Sequence, residues 1–402
     1  MTNFEKLSDN LSRIAPSATT VVTQKARDLK AAGEDVISLS VGESDFDTPE
    51  HIIRAAIEAL KQGKTRYTTI DGTPELKAAI CRKFKRENSL NYSPAQINVS
   101  PGGKAVIYNA LSASLNVGDE VIIPAPCWVS YPEIVKLCGA KPVTITCDMQ
   151  SGFKLTPEQL SAAITPRTRW LILNSPSNPT GAAYSQAELR ALADVLIHHP
   201  RVMILTDDIY EHLVYDDFAF TTLAEVSPEL YDRTLTMNGV SKTYAMTGWR
   251  IGYAGGPEWL ISAMAKIMGQ STGNPASFSQ YGAIAALDGP QDFIQSRNID
   301  FRKRRDFVVK NLNAAGLVCK IPVGAFYVFA SCASVIGKRS AGGALIKTDL
   351  DFCEHLLSES LVALVPGIAF HSPSFFRLSY ATSLAQLEQA CTRIAAFCNG
   401  CH

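Results

Sequence analysis

The sequence predicts an α/β protein, with a mostly parallel sheet covered by helices on both faces and a smaller α/β unit beside it. Three observations carry this. Seven short apolar runs read as buried strands: Ile97–Ser100, Glu120–Ile123, Lys141–Thr146, Trp170–Leu173, Val202–Leu205, Thr234–Met237 and Arg250–Ala254. Helix-length segments separate most of them, and strands alternating with helices imply parallel pairing. A helix-start signal recurs at Thr48-Pro49-Glu50, Thr73-Pro74-Glu75 and Thr156-Pro157-Glu158. Each offers a cap, a proline at the first helical position and an acid in the first turn.

The elements follow in order. After Thr48, Ile53, Ala56, Ile57 and Leu60 recur at helical spacing. Residues 48–290 hold all seven runs and form the expected large domain. From Asp292 to about Asn313 a long helix is expected, and its basic run Arg302-Lys303-Arg304-Arg305 reads as a solvated face. Residues 291–402 contain two further strands, Ala325–Ala330 and Phe375–Tyr380, and terminal helices. Residues 1–47 are expected to complete this smaller domain, because chain termini often pack together. Ala341-Gly342-Gly343 reads as an exposed loop.

Composition narrows the function classes. The chain has 402 residues, 46% apolar and 19% charged, which is ordinary for a globular protein. Lys+Arg and Asp+Glu are 38 each, so zero net charge does not advertise nucleic acid or an anionic membrane as partner. The N-terminus lacks an apolar signal region and no run of 18 apolar residues exists, so neither export nor a membrane span is expected. Ten scattered cysteines read as reduced, mostly buried thiols of a cytoplasmic protein. Cys398-Asn399-Gly400-Cys401-His402 matches c-type haem spacing. At the extreme C-terminus, where disorder concentrates, it reads as a chance match, and no second ligand pair gives it a metal role.

In parallel sheets ligands bind beyond the carboxyl ends of the strands. Four motifs stand there. Pro101-Gly102-Gly103-Lys104 opens a helix, where a phosphate can approach backbone N–H groups, although a Gly pair is more often a plain tight turn. Asn174-Ser175-Pro176-Ser177-Asn178-Pro179-Thr180-Gly181 is rich enough in turn residues to be only a loop. Asp207, in Thr206-Asp207-Asp208-Ile209-Tyr210, can pair with a cation or cap a helix. Lys242, in Ser241-Lys242-Thr243-Tyr244-Ala245-Met246-Thr247-Gly248-Trp249-Arg250, can form an imine if its pKa is lowered, and Arg250 can grip a phosphate.

Together and in this order, these motifs resemble the aspartate aminotransferase family, class I aminotransferases of fold type I that use pyridoxal 5′-phosphate. The likeness is to the bacterial subgroup with a Gly-Gly-Lys turn. It runs from Ser40-Val41-Gly42-Glu43-Ser44-Asp45-Phe46 to Arg377-Leu378-Ser379-Tyr380-Ala381-Thr382. It implies a large domain with a seven-stranded sheet and a small domain built from both termini. Lys242 matches the lysine that holds the cofactor as an imine and later moves the substrate proton. Asp207 matches the partner of the pyridine nitrogen, and Tyr210 and Asn178 match the partners of the phenolic oxygen. Trp128 matches the aromatic stacked on the ring. Arg250, with the amides of Gly103 and Lys104, matches the phosphate cup. Arg377 and Gly42 match contacts to the substrate, Arg377 to its α-carboxylate. Tyr67 matches a tyrosine that reaches the phosphate of a neighbouring subunit, implying a homodimer with shared sites. Relatives have cis prolines after two strands, implying cis Ala125–Pro126 and Asn178–Pro179.

The implied reaction is transamination between L-aspartate and 2-oxoglutarate, giving oxaloacetate and L-glutamate by a ping-pong mechanism. Lys104 stands where the subgroup uses a lysine for the distal carboxylate, so dicarboxylates are favoured. Its alternative is to neutralise the cofactor phosphate alone. Relatives that also take prephenate tend to carry a basic residue before a Pro-Ser-Ala-Thr motif. Here Ala15 precedes Pro16-Ser17-Ala18-Thr19, which weakens the expectation of prephenate use. Broader specificity, aromatic or prephenate, stays the alternative. A sensor joined to a DNA-binding module is disfavoured, since too few residues precede Gly42. β-Elimination or decarboxylation is disfavoured by the Arg377 and Lys104 pair, though fold alone does not set the reaction.

Overall fold

The computed structural model describes residues 8–16 and 18–402, without the side chains of Ala18 and Thr19. Strand β1 (Ile37–Ser38) is followed by the seven strands of the large sheet: β2 (Ile97–Ser100), β3 (Glu120–Ala125), β4 (Lys141–Thr146), β5 (Thr168–Asn174), β6 (Met203–Asp207), β7 (Thr234–Gly239) and β8 (Gly252–Gly255). Their spatial order is β2-β8-β7-β6-β5-β3-β4, and β8 alone runs against its neighbours. All seven expected runs are strands of this sheet. The last begins later than expected, because Arg250 lies at φ +55°, which extended backbone does not allow.

Helices cover the sheet. Thr73, Thr156 and Ser185 cap three of them through side-chain bonds to the amides of Leu76, Gln159 and Glu188. Thr48 does not cap. The helix Glu50–Lys61 starts one residue later than expected, and the Thr48 hydroxyl donates to the Ala245 carbonyl at 2.7 Å. The expected apolar stripe is also rotated: Ile52, Ala56 and Ala59 are buried, while Ile57 and Leu60 are exposed.

The C-terminal part builds a second sheet from β9 (Tyr327–Ser331), β11 (Val365–Pro366) and β12 (Phe375–Ser379), ordered β11-β12-β9 and antiparallel. Strand β10 (Val362–Ala363) pairs in parallel with β1, so the N-terminal segment is stitched to the C-terminal part. The long helix Asp292–Ala314 forms as expected, but its basic run is not simply solvated. Arg305 is only 2% exposed and pairs with Asp216 and Asp306, and Arg304 bonds Asp45 at 2.7 Å. The helix turns this face toward the Asp216 loop, and a buried guanidinium requires such partners. The C-terminal cysteines are not in a loose tail either. The helix Leu384–Gly400 packs against the helices Asp292–Ala314 and Asp349–Ser360, and Cys398 and Cys401 are buried in the core they share with the second sheet. All ten cysteines are free. Gly342 and Gly343 lie in an exposed loop, as expected. Among the described residues no helix is long and apolar enough to cross a membrane.

Candidate active site

Five strands of the large sheet deliver side chains to one cavity of about 470 Å³. The chain leaves β2 through Pro101 and Gly102 and enters the helix Gly103–Ser114. It leaves β3 toward Trp128, β5 at Asn174 toward Asn178, β6 at Asp207 and β7 toward Lys242. The parallel strands run the same way, so their carboxyl ends share one edge of the sheet. Arg377 reaches the cavity from the middle of β12, and Gly42 from the segment after β1. Of the residues expected from sequence, Lys242, Asp207, Tyr210, Asn178, Trp128, Arg250, Gly103, Lys104, Gly42 and Arg377 all line this cavity. Tyr67 does not. It is 97% exposed in the single chain. The peptide bonds Ala125–Pro126 and Asn178–Pro179 are cis as expected, and Ser175–Pro176 is a third.

The two ionisable groups at the cavity floor are both perturbed. Lys242 is drawn down to about 8, first by burial, then by the Arg377 charge, with Arg250 adding a lesser push. Its Nζ donates to the Gly42 carbonyl at 2.5 Å. Asp207 is pushed up to about 6 by burial, against the pull of the Tyr131 hydrogen bond and the Lys242 charge. A lysine with a pKa near neutrality holds an appreciable fraction of its amine uncharged, which is the nucleophilic and basic form.

Arg377 is 2% exposed. Its Nη1 donates to Asn178 Oδ1 at 2.8 Å and its Nη2 to the Ser40 carbonyl at 2.5 Å, while its buried Nε has no partner among the described residues. Because Asn178 Oδ1 is engaged, the amide group of Asn178 is left to donate. Arg250 lies across the Gly102 turn: a Cβ at Gly102, whose φ is +92°, would sit 2.2 Å from Arg250 Nη2. Gly103 and Lys104 open the following helix, so their N–H groups have no partner within it. Lys104 Nζ stands 5.1 Å from the Trp128 ring centroid, and partial burial and Arg250 lower its pKa.

Several site residues escaped the sequence reading. Tyr131 is buried and its hydroxyl donates to Asp207 Oδ2 at 2.5 Å. Tyr327 is buried, bonds the Tyr210 hydroxyl at 2.8 Å and lies under the Arg377 guanidinium. Behind the floor, fully buried Lys83 pairs with Glu211 and donates to Asn88 Oδ1 at 2.7 Å. Glu211 also accepts from Asn88 and Asn238, and His212 joins Glu87 and Thr243. This network braces the Asp207–Tyr210 turn against the Lys242 turn. The only sequence signal for these residues was a polar or charged side chain within an apolar-periodic element, which is not specific.

The donor set fits the pyridoxal phosphate that the resemblance implies. Arg250 and the free amides of Gly103 and Lys104 form a cradle for a phosphate. A buried carboxylate, two neutral donors and an aromatic face surround the space between that cradle and Lys242. The unpartnered Nε of Arg377 stands ready for an anion.

The sequence model of the family described as aminotransferase class I and II matches residues 34–394. The chain is 60% identical to the aspartate/prephenate aminotransferase of Cereibacter sphaeroides over 395 residues, covering 98% of this chain and 99% of that one. It is 56% identical to an aspartate aminotransferase of Rhizobium meliloti over 393 residues, covering 98% and 96%. Among solved structures, the Rhizobium meliloti aspartate aminotransferase superposes with a TM-score of 0.96 at 55% identity, covering 99% of this chain and 100% of that one. The Thermus thermophilus aspartate aminotransferase with maleate gives 0.92 at 41% identity, covering 98% and 100%.

Proposed function

Because the chain belongs to the class I and II aminotransferases, which depend on pyridoxal phosphate, we propose that it transfers the amino group between L-aspartate and 2-oxoglutarate. The observation that carries this reading is one cavity holding a depressed lysine, Lys242, and two cations suited to two carboxylates, Arg377 and Lys104. Bound in this cavity, the cofactor supplies an electron sink for the substrate Cα and carries the amino group between half-reactions. Lys242 attaches it and, when released, removes and returns the Cα proton. Asp207 keeps the pyridine nitrogen protonated, because a buried carboxylate favours a cation beside it. Tyr131, donating to Asp207, keeps that carboxylate aimed. Tyr210 and Asn178 donate to the phenolic oxygen, Trp128 covers the ring, and Arg250 with the Gly103 and Lys104 amides grips the phosphate. Arg377 takes the substrate α-carboxylate with its planar fork, beside Gly42. Lys104 takes the distal carboxylate, a reading supported by the structure of the Thermus enzyme with maleate, a dicarboxylate.

The decisive measurement is the half-reaction. Aspartate should convert the cofactor absorbance band and 2-oxoglutarate should restore it. A band that aspartate leaves unmoved would overturn the assignment. A second reading, use of prephenate as amino acceptor, is favoured by the name of the Cereibacter relative. Ala15 weighs against it, while the rest of the expected motif lies partly outside the described residues. Prephenate restoring the same band after aspartate would establish it.

Two further proposals rest on the fold. The chain divides into a large unit, 48–290, and a small unit, 1–47 with 291–402, a reading supported by the β1–β10 pairing. The active form is a homodimer in which Tyr67 serves the partner's phosphate. Support comes from exposed Ile57, Leu60, Tyr67 and Phe278 on or beside two helices packed together. Mixing Lys242→Ala with Tyr67→Phe protein should give heterodimers more active than either parent. Equal activity after verified exchange would count against shared sites. The free, mostly buried thiols support a cytoplasmic location.

A further inference from the structure

Tyr327, the first residue of β9, touches three members of the site at once. It is 0% exposed. Its hydroxyl lies 2.8 Å from the Tyr210 hydroxyl, its ring centroid lies 4.5 Å from the Arg377 guanidinium carbon, and a Cβ at Gly42 would stand 2.5 Å from its hydroxyl oxygen. Each phenol has one hydrogen to give. Burial raises the pKa of both hydroxyls, so both keep that hydrogen at neutral pH. If Tyr210 spends its hydrogen on the cofactor's phenolic oxygen, it has none left for Tyr327. The bond between the two phenols then has a single direction: Tyr327 donates and Tyr210 accepts.

Resting on the proposed function, we propose that Tyr327 is a positioning residue that fixes Tyr210 as a one-way donor into the cavity and thereby lowers the basicity of the imine nitrogen contributed by Lys242. A hydroxyl that accepts a hydrogen bond becomes a stronger donor, because chained hydrogen bonds polarise one another. A stronger donor on the phenolic oxygen draws negative charge away from it. That oxygen then holds the neighbouring imine proton less tightly, and the imine loses its proton at lower pH. The small sheet, through β9, thus helps set the titration of a group held by the large sheet.

Tyr327→Phe removes this one hydroxyl and keeps the ring, so the Arg377 contact survives and only the hydroxyl's contacts, to Tyr210 and beside Gly42, are lost. In the holoenzyme without substrate, the pH midpoint of the cofactor absorbance change should rise by roughly 0.1–0.7 unit, from a strengthening of ~10–30% in one charged hydrogen bond. Tyr210→Phe should raise it further. In a Tyr210→Phe background, Tyr327→Phe should add no shift, because the effect passes through the Tyr210 hydroxyl. A merely structural role for Tyr327 has no reason to vanish in that background. An unmoved or lowered midpoint, or an equal shift in both backgrounds, would overturn the proposal. A wild-type band that does not titrate with pH would overturn this inference alone, whereas a band that aspartate leaves unmoved would overturn the functional reading and this inference with it.

Discussion

The two sheets contribute to the cavity in different ways. The large sheet presents Lys104, Asn178, Asp207 and Lys242 at or just beyond strand ends, each embedded in a contiguous motif, and Trp128 beyond the end of β3. The second sheet presents Arg377 from the middle of β12 and Tyr327 from the start of β9, each flanked by apolar neighbours. The difference follows from geometry. The last residue of a parallel strand meets open space, so turns rich in Gly, Pro and Asn collect there and mark the site. A residue inside an antiparallel strand points into one face of the sheet by alternation alone, and a functional side chain there looks like any inward position. The large sheet holds the groups assigned to the cofactor, and the second sheet holds the grip on the substrate carboxylate.

That division can be broken experimentally, and the largest effect should come from the large sheet. Lys242→Ala should bring turnover below detection while circular dichroism and Tm stay close to those of the parent. Borohydride reduction and peptide mapping of the parent should label Lys242, and a label on another lysine would sink the assignment. Arg377→Lys tests the other side. It replaces a bidentate fork by a point charge, and a lost charged hydrogen bond contributes about 1.5–3 kcal/mol, so kcat/KM for aspartate should fall roughly ten- to a hundredfold. Cofactor occupancy, read by absorbance, should hold. Loss of cofactor together with rate would erase the division between the two sheets.

Lys104 belongs to the large sheet yet is assigned to substrate, so it sharpens the comparison. Lys104→Ala should lower kcat/KM for aspartate roughly ten- to a hundredfold, and for phenylalanine much less, since only aspartate leaves a carboxylate unpaired. Equal losses at full cofactor occupancy would move the selector elsewhere. The smallest effect is a pH dependence. The amine of Lys242 must be unprotonated to attack the cofactor aldehyde, and its pKa in the empty site is drawn down to about 8. The rate of reconstituting the empty protein should be flat above pH 8 and fall about tenfold per unit below it. A rate still climbing through pH 10 would place the lysine at its ordinary value and deny the effect of burial.

Much of the site was legible because its chemistry is written in turns. Lys242, Asp207, Asn178 and the Gly102-Gly103 turn each stand in a motif whose residue types restrict the backbone as well as the chemistry, and all four meet in the cavity. Arg377 was reached through the resemblance, since a lone arginine in the run Phe375–Tyr380 carries no signal of its own. Tyr131 and Tyr327 were invisible for the same reason. Thr48 misled because Thr-Pro-Glu is a good helix start, yet its hydroxyl found the Ala245 carbonyl instead. Arg305 misled because a basic run usually faces solvent, whereas here Asp216, far away in the chain, meets it.

The sequence by itself determined the order of strands and helices, the sheet's parallel character and the edge at which ligands bind, because local periodicity and turn chemistry act over a few residues. Only the tertiary structure decided which groups are buried together. The depression of Lys242, the elevation of Asp207, the Tyr327–Tyr210 bond and the Lys83–Glu211 pair all join residues far apart along the chain. Their energies come from burial and from charges brought close, quantities that depend on distance in space and have no counterpart in local sequence pattern.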